Sequence, residues 1–324
     1  MCTWIGIDIS KDTFDAGWYV QEDGVKNVHV KLPNTPAGFK DLLKKAPKDA
    51  RFVMESTGVY HLNLAFFLSK AHRYVSVENP LVVKRHIQSD LRRCKSDIAD
   101  SFALAKYGME KRPKPWNPAS PEALRARHLL SIKEALMGSI RRLENVKHAV
   151  ETLLEKDRCA LKELDTTIKY LRGRLKRAEK LLEECVCSRW KHEVELISSI
   201  PGIGIATACQ FVSVVEDFNR FKDSRQLVSW LGLSPYNAQS GTSLDKHGGI
   251  TKMGNMSLRN QLYMCAVCAS KSNEVAKCMW ERMKAKGKPS KVVLIAIVNK
   301  LVKTAFALVR SGRPYDANFF LKTP

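Results

Sequence analysis

Four acidic residues near the start of the chain have the setting for metal-assisted phosphate chemistry. Asp8 lies inside the β-rich run "TWIGIDIS", and Glu55 closes a second such run, "RFVMES". Asp97 and Asp100 sit three apart in "KSDIADSFALAKYG", a spacing that puts both on one helical face. If the two strands are neighbours and the helix packs beside them, the four carboxylates converge at the strand ends. Clustered carboxylates repel one another unless cations hold them together, and hard oxygen ligands suit Mg²⁺. Two such ions about 4 Å apart clamp a phosphodiester for in-line displacement. Asp12 and Asp15 follow the first strand and read as turn or capping residues.

A second group lies far downstream. The polar stretch "YNAQSGTSLDKHGGITKMGN" sets Ser240 next to a glycine and carries Lys246, His247 and Lys252. A serine hydroxyl is a weak nucleophile that needs activation, and these neighbours either assist it or hold phosphates. Arg259, in "MSLRNQLY", adds a further cation for nucleic acid. Upstream, Pro201-Gly202-Ile203-Gly204 separates two apolar helical patterns. It resembles the turn of a helix-hairpin-helix element, in which Gly202 and Gly204 would present backbone N–H groups to a phosphate. A purely structural turn is the other reading.

Three parts of the chain must position these groups. Residues 1–112 alternate strands with helices: three leading strands, then β-α-β-α, a mixed sheet covered by helices. Residues 113–193 open with the proline-studded "KRPKPWNPASPEAL", where Ser120 and Pro121 mark a helix start. Apolar residues then recur in alternating steps of three and four, through Leu143, Val146, Val150, Leu161, Leu164, Ile168, Leu171, Leu175 and Leu182, as a coiled-coil seam does. The seam breaks at Asp157, which permits either one long helix or a two-helix hairpin. Residues 194–324 read as helical, interrupted by the polar loop. The fold class is therefore α/β followed by all-α.

The chain of 324 residues has a formal net charge of +21, and residues 201–324 carry 18 Lys/Arg against 7 Asp/Glu. That surplus points to a polyanion partner, nucleic acid above all. Nine cysteines and no signal-peptide pattern place the chain in a reducing cytoplasm. Cys265 and Cys268 sit in an apolar helical pattern without the ligand pair a zinc finger needs. The apolar run from Val292 carries Asn299, Lys300 and Lys303 at its centre, which suits a buried helix and no membrane.

The segments "GIDISKDTFD", "ESTGVY", "NPLVVKRH…KSDIADSFALAKYG", "IPGIGIATA" and "SWLGLSPYNAQSG…ITKMGNMSLRNQLY" occur in one order over nearly the whole chain. Together they resemble the transposases of the insertion-sequence 110 family, recombinases guided by a bridge RNA. The resemblance implies a RuvC-like, RNase H-type N-terminal domain whose acid set is Asp8, Glu55, Asp97 and Asp100, and a catalytic serine at Ser240. It implies a composite site: Mg²⁺ on the acids faces the scissile phosphate while Ser240 attacks it, giving a covalent 5′-phosphoserine. It further implies double-stranded donor and target DNA, a structured noncoding guide RNA, and a homo-oligomer, a dimer that pairs to a tetramer on DNA. The stretch "SDLRRCKSD", with Asp90, departs from the family's usual small residues before the third acid. Two other functions stand beside this one: a metal-only nuclease resembling junction resolvases, and a nucleic-acid-binding scaffold with no catalysis.

Overall fold

The computed structural model describes residues 3–21, 25–56, 58–88, 96–240 and 244–317. The chain divides into two compact units, Met1–Ala119 and Ser120–Pro324.

The first unit is a five-stranded mixed sheet with helices on both faces. Its elements are β1 (Trp4–Ile9), β2 (Thr13–Gln21), β3 (Val25–Pro33), α1 (Pro36–Lys45), β4 (Arg51–Glu55), α2 (Tyr60–Lys70), β5 (Tyr74–Glu78), α3 (Pro80–Gln88) and α4 (Asp97–Lys111). The strand order is β3-β2-β1-β4-β5. The first three strands are antiparallel, and β4 and β5 run parallel to β1. This order fits the RNase H-type arrangement.

Alternation along the strands creates two faces. Ile5, Ile7, Phe14, Ala16, Phe52 and Met54 bury one face against Phe39 and Leu42 of α1 and Leu64 and Leu68 of α2. Trp4 and Val53 belong to the opposite face and pack with Leu104 and Tyr107 of α4. The proline-studded stretch is docked on this unit rather than free. Trp116 donates its backbone N–H to Val75 at 2.7 Å and stacks edge-on against Phe66. Tyr74 and Ser76 donate to the carbonyls of Pro113 and Lys114.

The second unit contains α5 (Pro121–Glu151), α6 (Arg158–Ser198), α7 (Ile205–Val215), α8 (Ser224–Trp230), β6 (Pro235–Ser240), β7 (Leu244–Ile250), α9 (Met256–Ser272), α10 (Glu274–Ala285) and α11 (Ser290–Ser311). The seam forms a hairpin, not one long helix. Asp157 caps α6 by accepting from the N–H groups of Cys159 and Ala160, so the break in the apolar rhythm is a helix start. Interhelical ion pairs fix the antiparallel register: Lys147–Asp165 at 2.6 Å, Arg172–Glu144 at 2.7 Å and Arg189–Glu122 at 3.4 Å. The boundary expected at residue 193 falls inside α6, whose last turns bury Val194, Leu196 and Ile197. Helix α11 is long and apolar enough to cross a membrane by composition. It instead buries Val293, Ile297, Val298, Leu301, Val302 and Ala305 among the helices of this unit.

Candidate active site

Parity and packing bring the predicted acids to one end of the sheet. Gly6 precedes Asp8 by two residues and shares its face. A Cβ on Gly6 would stand 2.0 Å from the Ser101 carbonyl oxygen and 2.3 Å from the Ala105 nitrogen, so α4 lies directly on β1. Gly108, later in α4, packs against the Trp4 ring at the start of β1. The helix therefore runs antiparallel to the strand. From Gly6 to Asp8 the strand advances about 6.6 Å, the rise of about four helical residues. That step leads from Ser101–Ala105 back to the first turn of α4, which holds Asp97 and Asp100. Ser96 caps this turn through the Ala99 N–H at 3.2 Å, and acidic residues in a first turn complement the helix dipole.

Glu55 joins them through the parallel β1–β4 register. Ile7 is opposite Met54, which sets Asp8 beside Glu55 one step further on. Both are half-buried, Asp100 is half-buried and Asp97 is exposed. Among the described residues, no three Asp, Glu, His or Cys side chains form a group that could hold a metal ion. The four acids thus share a face and an end without forming a closed cage. Carboxylate oxygens alone are the donor set of a hard divalent cation. Asp8 and Glu55 carry such oxygens on the sheet, and Asp97 and Asp100 carry them on the first turn of α4.

Two carboxylates escaped the sequence reading. Asp15 is no turn residue: it lies within β2, directly opposite Asp8, and is 4% exposed. It shares the face of Gly17, whose own added Cβ would meet Ser101 Oγ at 2.6 Å. The signal was available in "TFDAGWYV", where Phe14, Ala16 and Trp18 alternate with Asp15 and Gly17. Asp12 does lie in the turn between β1 and β2. Glu78 on β5 is opposite Glu55. Its two oxygens accept from Ser76 Oγ at 2.9 Å and Tyr107 Oη at 3.2 Å, so it is tied into the packing of α4. Burial, reinforced by the Glu78 charge, pushes the Tyr107 phenol up to about 12. Asp90 lies outside the described residues.

In the second unit the polar loop is largely a two-stranded antiparallel ribbon, β6–β7, where the sequence suggested irregular chain. Ser240 is the last residue of β6, opposite Leu244, while Lys246 is opposite Ala238 and His247 opposite Asn237. The side chains of Ser240, Lys246 and His247 lie outside the described residues. Six strand residues put Ser240 roughly 17 Å from Pro235 at the ribbon base.

That base is locked by close backbone contacts. Gly232 has φ +71° and Gly254 φ +133°; a Cβ on the first would strike the Met253 oxygen at 2.2 Å, and on the second the Trp230 oxygen at 2.5 Å. Only glycine meets both demands. Thr251 N–H donates to Ser234 and Lys252 N–H to Gly232. Lys252 itself is exposed beside the ribbon.

The remaining nucleic-acid candidates separate. Arg259 is 9% exposed and donates to the Leu231 carbonyl at 3.1 Å, a brace under the ribbon base, and burial lowers its pKa. That geometry makes it a structural residue rather than a surface cation. Gly202 has φ +101° and lies against Ala269, where a Cβ would come within 2.6 Å, so helix packing explains it. Gly204 caps α7 with open space where a side chain would be.

Two family models match the chain. The model of the transposase IS116/IS110/IS902 family matches residues 194–281, and the DEDD transposase model of the IS110 elements matches residues 5–155. The chain belongs to the IS110 family of transposases. The pilin gene-inverting protein of Moraxella bovis is 29% identical over 97% of this chain and 98% of its own length. A probable family 20 transposase of Pseudomonas aeruginosa is 25% identical over 94% of this chain and 96% of its own length. T. thermophilus RuvC in complex with a Holliday junction substrate aligns with 35% of this chain and 99% of its own, at 14% identity and a TM-score of 0.26, too slight a likeness to carry an argument. As a transposase the protein acts on DNA, and its acid-bearing domain fits a divalent-metal requirement.

Proposed function

We propose that this transposase exchanges DNA strands through Ser240 and a metal site on Asp8, Glu55, Asp97 and Asp100. The observation that carries the reading is the placement of Asp8 beside Glu55 under the acidic first turn of α4. A bound divalent cation, Mg²⁺ by the chemistry of the donors, supplies charge neutralisation at the phosphate. The Ser240 hydroxyl attacks phosphorus, the bond to the 3′ oxygen breaks, and that oxygen leaves as a 3′-hydroxyl carrying a proton. A second 3′-hydroxyl then attacks the phosphoserine, re-forms the phosphodiester and returns the serine. Each step exchanges one phosphate ester for another, so no ATP is needed.

Several features support the assignment of Ser240. It ends a ribbon whose base is held rigidly by Gly232, Gly254 and Arg259, in the most basic part of the chain. Lys252 and the open N-terminus of α7 at Gly204 serve as phosphate contacts. The net charge of +21 suits a structured guide RNA as well as donor and target DNA. The α5–α6 hairpin leaves Leu161, Leu164, Leu171 and Leu175 half-buried and Leu153 and Leu154 exposed, which supports self-association into a dimer and a tetramer on DNA.

The test is a nicked suicide substrate incubated with the purified protein and Mg²⁺. Mass spectrometry should place the nucleotide on the peptide containing Ser240. Cleavage without any adduct would replace this reading with a hydrolytic nuclease that uses the acids alone.

A further inference from the structure

We infer that the first turn of α3 is a wedge that opens a base step of the DNA, with Leu81 and Val82 entering the stack and Lys84 and Arg85 holding the phosphates beside it. The inference rests on the reading that DNA is processed at the carboxyl end of the parallel strands.

Three helices start at that end. Helix α2 follows β4, α3 follows β5, and α4 begins where β1 ends. All three starts expose apolar side chains: Val59 and Tyr60 at α2, Leu81 (42% exposed) and Val82 (49%) at α3, and Ile98 at α4. A single exposed apolar residue is ordinary, but a patch of them rimmed by polar groups marks a contact surface.

Helix α3 adds charge to this patch. Val83 and Ile87, four apart, turn inward with Trp4, Leu104 and Tyr107. Helical spacing then puts Leu81, Arg85 and Gln88 on the outward line, with Val82 and Lys84 flanking it. All five are exposed, and Lys84 and Arg85 have no ion-pair partner among the described residues. A face with an apolar tip and unpaired cations one turn behind it suits a polyanion with an apolar interior. Duplex DNA has that character, with stacked bases inside and phosphates outside, and DNA is the substrate of this transposase.

A wedge must also be stiff. The Asn79 side chain accepts from the Leu81 N–H at 2.8 Å, and the Asn79 carbonyl accepts from the Val82 N–H at 2.9 Å. Pro80 fixes the backbone at the first helical position. No loop separates sheet from helix, since β5 ends at Glu78 and α3 starts at Pro80. The Glu78 carbonyl is in turn held by the Ser56 N–H at 2.9 Å. The apolar tip is thus mounted directly on the sheet.

The experiment uses the full-length protein, RNA transcribed from the noncoding flanks of its element, and a duplex spanning one end of that element. The duplex carries 2-aminopurine at successive positions, and fluorescence is read in EDTA so that no strand is cut. A base that leaves the stack brightens. The wild type should brighten the probe at one step. The Leu81→Ala/Val82→Ala protein should lose that rise and cleave about tenfold more slowly in Mg²⁺. Its melting temperature should stay that of wild type, because both side chains are exposed. Leu81→Met with Val82→Ile should restore both signals. Lys84→Gln and Arg85→Gln should each lower the slope of log affinity against log salt by about 1. Met109→Ala, exposed at the other end of α4, should change none of these. No brightening with wild type at any position overturns the inference, as does brightening retained by the double-alanine protein. A double-alanine protein with altered sedimentation and an unaltered DNA signal makes the patch a contact between copies instead. Asp8→Asn keeps the two readings apart: it should lose cleavage and keep the brightening, whereas cleavage at the wild-type rate would remove the acid site and leave the wedge standing.

Discussion

Substituting Gly6 by alanine should misplace the acids without touching any of them. Helix α4 sits on β1 so closely that a Cβ at Gly6 would lie 2.0 Å from the Ser101 oxygen and 2.3 Å from the Ala105 nitrogen. These are backbone atoms, so no rotamer relieves the clash. Restoring an ordinary contact of 3.4 Å requires a movement of about 1.4 Å. The helix must lift, the strand must sink, or both. Overpacking of this kind costs about 1–3 kcal/mol of stability. At about 4 °C per kcal/mol for a unit this size, the melting temperature should fall by several degrees.

The catalytic consequence is larger. Asp97 and Asp100 ride on the lifted helix while Asp8 and Glu55 stay with the sheet. Misplacement of reacting groups by about 1 Å costs on the order of 10²-fold in rate. Strand cleavage in Mg²⁺ at a temperature well below the new midpoint should therefore drop by about that factor. The comparison is Gly138→Ala in α5, where an added Cβ meets nothing within 4 Å. That change should stabilise by up to about 1 kcal/mol and leave cleavage unchanged. A Gly6→Ala protein that melts and cleaves like wild type would refute the claim that α4 is seated on this glycine and that its seat sets the acid geometry.

Five further outcomes follow from the same structure. Ser240→Ala should keep DNA and RNA binding and lose both recombination and the covalent adduct, whereas full recombination by this variant would remove serine from the chemistry. Asp157→Ala deletes the α6 cap and should cost about 1 kcal/mol, read from thermal unfolding; glutamate at both Leu164 and Leu171 should dissociate an oligomer or open the hairpin, and unchanged sedimentation with unchanged melting counts against both. Arg259→Ala should cost about 1–3 kcal/mol of stability by leaving the Leu231 carbonyl unpaired, and a pure loss of DNA affinity at wild-type stability would restore it as a phosphate contact. Tyr107 is held neutral up to about 12, so folding stability should begin to fall as pH passes its ordinary value of 10.0 and the unfolded phenol ionises; Tyr107→Phe should remove that contribution from the pH profile.

Much of the first unit was legible because its strands alternate. Ile5, Ile7 and Ile9 announce one buried face, and Gly6 and Asp8 announce something unusual on the other. The two glycines were the missed signal. Gly6 and Gly17 leave room for a helix to descend onto the sheet, and that descent turns the first turn of α4, with Asp97 and Asp100, toward the Asp8 end of β1. Sequence spacing put those two acids on a helix face but could not say where the helix lands, because the contact is made by absent side chains. Asp15 was misread for a related reason: its partners His29 and Lys31 are 14 and 16 positions away, and only strand pairing brings them together. Trp116 in the proline-rich stretch was a further clue, since an aromatic residue of that size in a free linker would have no cover.

The ribbon carrying Ser240 was the least legible element, and the physical reason bears on its role. A strand is recognised by apolar alternation because one of its faces is buried, and "PYNAQS" has almost none to alternate. Its pairing with "LDKHGGI" rests on backbone hydrogen bonds, which leave no trace in residue type. A two-stranded ribbon is marginal by itself in water, so the rigidity must come from below. Gly232 and Gly254 interlock with the chain across from them, and Arg259 holds the carbonyl of Leu231. These residues lie outside the ribbon, in "WLGLSP" and "KMGNMSLR", the two segments that flank the serine in the family's pattern. If Ser240 is the nucleophile proposed above, it stands on a stiff root. Gly232→Ala should therefore abolish adduct formation while Ser240 is intact, since its Cβ would strike backbone at 2.2 Å. Gly249→Ala, where nothing lies within 4 Å, should not. Equal adduct yields from the two variants, measured on the same suicide substrate at matched folded fraction, would show that the root has no part in presenting the serine.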